Sequence, residues 1–219
     1  MLPALDAADT VSEVTSGLRA AVERVFIIGV DDGSADGTLA AMRRSCDEVI
    51  SFARNRGKGA ALRAGFAAAL SIDCDVVLCL DADGQHDPLY APALVAALNG
   101  ADVVIGSRDV GGSAMPIHRR MTNALSNAAV AACSGVRLPD TQSGYRAARA
   151  AVVREVLPTG DRYEFETEFL LLAARRGFRF ATVSVPSIYP TGGTSHFRLG
   201  RDAARITRTF WRYRSGAAH

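Results

Sequence analysis

Two acidic clusters carry residue types that bind cations. The first is Val30-Asp31-Asp32-Gly33-Ser34-Ala35-Asp36-Gly37-Thr38, and the second is Leu80-Asp81-Ala82-Asp83-Gly84-Gln85-His86-Asp87-Pro88. Two carboxylates one residue apart in a loop can point at one divalent cation. Mg²⁺ and Mn²⁺ prefer such oxygen ligands and keep room for substrate phosphates. Gln85 could add an amide oxygen and His86 an imidazole. The plainer reading of the first cluster is a polar turn in which Asp36 caps the next helix. That reading leaves Asp31 and Asp32, directly after an apolar run, without a role. Between the clusters, Asn55-Arg-Gly-Lys-Gly59 opens a helix. Its glycines let backbone N–H groups approach a ligand at the helix N-terminus. It is not a P-loop, because Gly59 and Ala60 follow Lys58 where Ser or Thr is required, and this excludes a kinase or ATPase of that type.

These side chains act together only if a sheet delivers them to one edge. Apolar runs alternate with helical patterns: helix 11–22, strand 25–30, helix 36–46, strand 48–52, helix 59–71, strand 75–80, helix 88–98 and strand 102–106. This rhythm predicts an α/β fold with a mainly parallel sheet and helices on both faces. Both acidic clusters then fall at carboxyl ends of strands, where such sheets bind ligands. Beyond Gly106 the rhythm changes to a helix at 118–134, a polar turn-rich segment at 139–146, a helix at 164–176, a strand at 178–185 and a last helix at 199–214.

The bulk numbers set limits. The 219 residues are 48% hydrophobic, which excludes disorder. With 25 Lys+Arg against 23 Asp+Glu, the net charge of +2 gives no footing for bulk nucleic-acid binding. No apolar run approaches the roughly 18 residues that span a bilayer, and the N-terminus lacks the pattern of a secretory signal. Cys46, Cys74, Cys79 and Cys133 are scattered without metal-ligand spacing. They read as buried thiols of a cytoplasmic protein.

Taken together, the motifs resemble family 2 glycosyltransferases of the GT-A fold, in the branch of dolichyl-phosphate mannose synthases and polyprenyl-phosphate sugar synthases. Seven segments match in order: Val30-Asp-Asp-Gly-Ser34, Asn55-x-Gly-Lys-Gly59, Asp81-Ala-Asp-Gly-Gln-His86, Gly106-Ser-Arg108, Asp140-Thr-Gln-Ser-Gly-Tyr-Arg146, Phe165-Glu-Thr-Glu168 and Ser195-His-Phe197. The resemblance implies one glycosyltransferase domain over 1–219, with a nucleotide-sugar half at 1–108 and an acceptor half at 109–219. It implies donor contacts at Pro3, Ala4, Asp31, Asp32, Gly57, Lys58, Asp81 and Ala82, with Asp31 accepting an N–H of uracil or guanine. It implies Mg²⁺ or Mn²⁺ held by Asp83 with help from Asp81 and Gln85. Asp81, Asp83 and Arg108 would serve catalysis, and Arg108, Arg119, Arg120 and His196 an acceptor phosphate, since guanidinium groups grip phosphate bidentately. The plainer reading of Arg119 and Arg120 is an exposed helix start, and His118 reads as a surface histidine. Arg146 is expected as a structural partner of Asp140. Of Glu166 and Glu168, one is expected to face the site and the other to be solvated. The start of the chain departs from the pattern: Pro3-Ala-Leu-Asp-Ala7 stands with only Met1 and Leu2 before it, so the first strand is expected to be nearly absent, and the family's base-contacting Tyr and Glu appear as Leu5 and Ala7.

In the last helix, Arg201, Arg205, Arg208 and Arg212 recur in line beside a stripe of Leu199, Ala203, Ile206, Phe210 and Tyr213, with Trp211 nearby. Such a helix can lie in an anionic membrane interface or pack its stripe on the core. The expected activity is metal-dependent, inverting transfer of a hexose from a UDP- or GDP-sugar to a polyprenyl- or dolichyl-phosphate acceptor. The expected place is the cytoplasm, extending to the cytoplasmic face of a membrane or a membrane-embedded partner. The rivals are the same chemistry on a non-lipid acceptor and a weakened nucleotide-binding protein with little turnover.

Overall fold

The computed structural model of the chain describes residues 1–108, 117–186, 188 and 207–213; for 117–122 the backbone alone is described. The strands are β1 (Leu2–Ala4), β2 (Ile28–Asp31), β3 (Glu48–Ser51), β4 (Val76–Cys79), β5 (Val103–Arg108), β6 (Arg146–Arg149) and β7 (Phe180–Val185). The helices are α1 (Val11–Ala21), α2 (Thr38–Ser45), α3 (Lys58–Ser71), α4 (Ala91–Ala97), α5 (Ile117–Ser134), α6 (Ala150–Glu155) and α7 (Glu164–Arg175). A 3₁₀ turn at Pro88–Tyr90 leads into α4, and residues 207–213 are helical.

Strands β1, β2 and β3 form a parallel sheet with β2 in the middle, and a second sheet has the order β4-β6-β5-β7. The two are stitched where the Met1 amino group donates to Leu78 O at 2.6 Å and Leu80 N–H donates to Met1 O at 3.2 Å. The first strand, expected to be nearly absent, is present but short. Strand β1 has only three residues, yet they are buried and lie in register with Gly29, Val30 and Asp31. So short a strand suffices because Met1, directly before it, is bonded to β4 and the side chains of Met1, Leu2 and Ala4 meet two cores.

Alternation along the strands feeds those two cores. Val103, Ile105 and Ala148 face Leu62, Phe66, Val152, Phe165 and Phe169 of α3, α6 and α7. Val104, Ala147 and Leu2 face Val11, Leu18, Met42 and Leu94 of α1, α2 and α4. Helices thus cover both faces, as the rhythm predicts.

The sheet is more mixed than expected. Strand β6 runs antiparallel to both β4 and β5, in a stretch whose first residue closes the segment that reads as a polar turn. Arg146-Ala-Ala-Arg149 has poor strand propensity, but Ala147 and Ala148 are small enough to be buried between the two cores. Helix α6 follows without a break and is likewise absent from the sequence reading. The cysteines are free thiols. Cys79 alone among them is buried, and the other three are half-buried.

Candidate active site

Strands β1, β2 and β4 end side by side, so the two acidic clusters meet. Ala4 is the register partner of Asp31, and the Thr10 hydroxyl donates to Ala82 O. Asp31 is held by Ser34 N–H (3.1 Å) and the Ser51 hydroxyl (3.0 Å). Loop 5–8 is pinned to loop 34–38, with Asp6 N–H donating to Ser34 Oγ and Ala7 N–H to Thr38 Oγ1. Asp36 accepts Thr38 N–H and Ala8 N–H, and so ties that loop while supporting the start of α2.

The Asn55–Gly59 loop is not an open phosphate cradle. The N–H groups of Arg56 (2.7 Å) and Gly57 (2.9 Å) donate to the buried Asp32 carboxylate, and Ala60 N–H donates to Asp161 O. Burial pushes the Asp32 carboxyl up despite those donors. Gly57 has φ of +107°, and a Cβ there would lie 2.4 Å from Asp161 O. The glycine therefore serves close packing of two loops, while its amide is taken up by Asp32.

Lys58 carries the electrostatics. Its ammonium lies 2.8 Å from Asp81 and 3.2 Å from Glu166. Burial alone would lower the ammonium pKa, but Asp81 and then Glu166 raise it above the ordinary lysine range. Burial alone would likewise raise Asp81, but Lys58 first, and His86 and Arg146 after it, hold that carboxyl below its usual range. Asp83 opens to solvent, and Gln85 N–H donates to its Oδ1 at 3.0 Å. Crowding on its inner side and then the Asp81 charge push its carboxyl up. Asp83 and Asp81 thus have different surroundings: the first faces outward, the second is shared with a lysine. Among the described residues no trio of His, Cys, Asp and Glu gathers to hold a metal. Of the expected metal ligands Asp81, Asp83 and Gln85, Asp81 is engaged by Lys58, and carboxylate and amide oxygens of this kind, with oxygens brought by substrate, are a donor set that suits Mg²⁺ or Mn²⁺.

The other wall comes from β5 and the segment after α5. Arg108 at the end of β5 pairs bidentately with the fully buried Asp140, at 2.6 Å through Nε and 2.9 Å through Nη2. Asp140 therefore has Arg108 and not Arg146 as its partner. Arg146 instead donates to the carbonyls of Ser143, Thr141 and Glu166, a buried brace that folds this segment against α7. A Cβ at Gly144 would lie 2.1 Å from Asp81 Oδ2, which places the segment directly on the first aspartate. Gly144→Ala should push Asp81 away from Lys58. We expect a destabilisation of about 1–3 kcal/mol, as in overpacked cores, and at least a tenfold loss of activity. Thermal melts and initial rates check this, and an unchanged melt and rate would mean that Asp81 is free to swing aside.

Several residues differ from their sequence assignments. Glu166 faces the site, but Glu168 is buried rather than solvated, for it accepts from Thr159 N–H, Gly160 N–H and the Tyr213 hydroxyl. His86 packs on Tyr145 with ring centres 5.4 Å apart, and its Nδ1 is buried without a partner among the described residues. Burial pushes its pKa down to about 4, so it is neutral near pH 7. Asn123 Oδ1 on α5 is likewise buried and unsatisfied among the described residues. No motif pointed to Asn123; its sole sequence signal is a place one helical turn after Arg119. Arg119 and Arg120 lie on the first turn of α5, their side chains outside the described residues, as are His196, Arg201 and Arg205 altogether. In the last helical segment Tyr213 is buried and Phe210 half-buried against Val130 and Leu171, so these two belong to the protein interior.

The profile of glycosyl transferase family 2 matches residues 1–157. The chain belongs to this family. The transferase is 31% identical over 222 residues to an undecaprenyl-phosphate mannosyltransferase of Micrococcus luteus, covering 95% of this chain and 91% of the relative. It is 32% identical over 199 residues to a polyprenol monophosphomannose synthase of Mycolicibacterium smegmatis, covering 85% and 74%. Among solved structures, M. tuberculosis glucosyl-3-phosphoglycerate synthase superposes with a TM-score of 0.77 at 26% identity, over 98% of this chain and 79% of that one. The same enzyme with Mn²⁺, UDP and phosphoglyceric acid gives 0.77 at 23% identity over 97% and 76%, a likeness of fold. The α/β architecture of the transferase is thus that of GT-A glycosyltransferases. No helix among its described residues is long and apolar enough to cross a membrane.

Proposed function

We propose that the transferase moves a hexose from a UDP- or GDP-sugar to a polyprenyl-phosphate-type acceptor, aided by Mg²⁺ or Mn²⁺. One observation carries the reading: an outward carboxylate, Asp83, stands beside the partly buried Lys58–Asp81–Glu166 cluster, while the Arg108–Asp140 pair sits on the neighbouring wall. The first arrangement suits a departing diphosphate and the second an arriving phosphate. The donor contacts assigned are Pro3, Ala4, Asp31, Asp32, Lys58 and Ala82, with Gly57 acting through Asp32.

Asp83 and Gln85 would hold the cation, which when bound acts as a Lewis acid on the diphosphate. Lys58 keeps Asp81 ionised and in place. An acceptor phosphate oxygen is already anionic, so it needs little help from a general base. The protein must orient it, and orientation supplies much of the rate. Asp140 fixes the plane of the Arg108 guanidinium, and Arg119 and Arg120 bring charge on the first turn of α5. Attack opposite the leaving diphosphate gives inversion in a single displacement.

The lipid acceptor is favoured because the 31% identical relative that spans nearly the whole chain is named for undecaprenyl phosphate. A small phosphorylated acceptor is the second reading, supported by the glucosyl-3-phosphoglycerate synthase likeness. The test is a panel of UDP- and GDP-sugars with polyprenyl phosphate or 3-phosphoglycerate, with Mn²⁺, Mg²⁺ or chelator, read by mass spectrometry. A sugar-lipid product in the metal arms is expected. A product on phosphoglycerate alone would move the assignment to the second reading, and no product with any pair would overturn both.

A lipid acceptor also implies contact with a membrane surface. Trp211 is 70% exposed and Arg208 is exposed on the last helical segment, a pairing suited to an anionic interface. Trp211→Ala combined with Arg208→Gln should cut co-sedimentation with anionic vesicles several-fold, and salt should weaken the parent's binding by screening. A parent that stays in the supernatant would assign lipid delivery to a membrane-embedded partner.

A further inference from the structure

The buried carboxylate of Glu168 has no part in the chemistry described above, yet it is the most heavily bonded acid of α7. Its Oε2 accepts Thr159 N–H and Gly160 N–H, both at 2.9 Å. Its Oε1 accepts the Thr159 hydroxyl at 3.2 Å and the Tyr213 hydroxyl at 2.8 Å. Glu166 lies two residues earlier, about 200° away around the helix, and faces Lys58. One turn of α7 therefore grips two different structures.

The loop that Glu168 holds sits on the first turn of α3. Asp161 O accepts Ala60 N–H at 3.0 Å. Arg63 donates to Pro158 O at 3.1 Å and pairs with the Asp161 carboxylate. A Cβ on Gly59 would lie 2.6 Å from Gly160 O. That first turn carries Lys58. A continuous path of hydrogen bonds and contacts thus runs from the last helical segment through Glu168 and loop 158–161 to the ammonium beside Asp81. Tyr213 is itself anchored, with the Arg175 guanidinium over its ring at 4.8 Å and Val130 and Leu171 beneath it.

We propose that Glu168 and Tyr213 are positioning residues for Lys58, so that docking of the last helical segment sets the donor-diphosphate side of the site. The dependence of donor binding rests on the donor reading above; the positioning itself does not. Tyr213→Phe is the mild variant, since it removes one hydroxyl and keeps the packed ring. Hydrogen exchange without any ligand is the first readout. Amides of 57–61 should exchange about tenfold faster, the scale of one bond to a charged acceptor, while amides of α1 and α4 on the other face stay unchanged. Unchanged exchange at 57–61, or equal acceleration throughout, would overturn the proposal. The second readout is kinetic: donor KM should rise about tenfold with acceptor KM unchanged, whereas loss of folded enzyme lowers kcat alone. A parent that binds neither UDP nor GDP would sink the donor reading while the exchange result still decides the positioning. Glu168→Gln, which sets an amide N–H₂ against existing donors, should exceed Tyr213→Phe in the exchange readout, and a smaller effect would also count against the proposal.

Discussion

Replacing Asp83 by Asn should lower kcat/KM for metal-dependent transfer by at least about a thousandfold, roughly 4 kcal/mol at the barrier, and leave the melting temperature level or higher. An amide cannot replace a charged ligand. The stability half follows from sign. The folded carboxyl is raised by crowding on its inner side and then by Asp81, so its stabilising contribution belongs to the protonated form and is lost as pH rises past that raised value. Above that value the ionised group costs stability, and the Asn variant removes that cost. Added Mn²⁺ should raise the melting temperature of the parent and not of Asp83→Asn. Undiminished transfer, or equal stabilisation of both proteins by Mn²⁺, would remove Asp83 from the metal assignment.

Asp140→Ala should give a large loss of stability, about 3–5 kcal/mol, because it removes a fully buried carboxylate that takes two bonds from the Arg108 guanidinium and others from the Arg108 and Gln142 amides. In a chain of this length about 2–4 °C is expected per kcal/mol, so the melt should fall by roughly ten degrees. Asp140 is lowered although burial alone would raise it, since its bonds to Arg108 outweigh burial. Its contribution is therefore complete above the ordinary carboxylate pKa of about 3.9 and is lost as pH falls through the depressed folded value. Urea unfolding at pH 7 and between pH 4 and pH 2 checks both parts. The gap between parent and variant should narrow in acid. A difference below about 1 kcal/mol at pH 7 would mean that Arg108 reaches water when released.

The parts of this site that were legible in the sequence are those where a strand hands directly to a loop. Asp81-Ala-Asp83 and Asp31-Asp32 follow apolar runs, so period and position sufficed to set them at one edge. What could not be read depends on pairing at a distance. Lys58 and Asp81 are 23 residues apart, and Arg108 and Asp140 are 32 apart; no local pattern says which cation meets which acid. One of Glu166 and Glu168 reads as solvated, yet Glu168 is buried, because its donors come from a loop and from Tyr213. Strand β6 was hidden because its alanines and arginines satisfy tertiary constraints that propensity does not record.

Strand order also bears on how the protein emerges from the ribosome. Strand β5 lies between β6 and β7, so both of its neighbours are made after it. At about 5–20 residues per second, the Val103-Val104-Ile105 stretch waits several seconds with neither hydrogen-bonding edge covered. During that interval the nascent chain presents an apolar strand of the kind that recruits foreign strands.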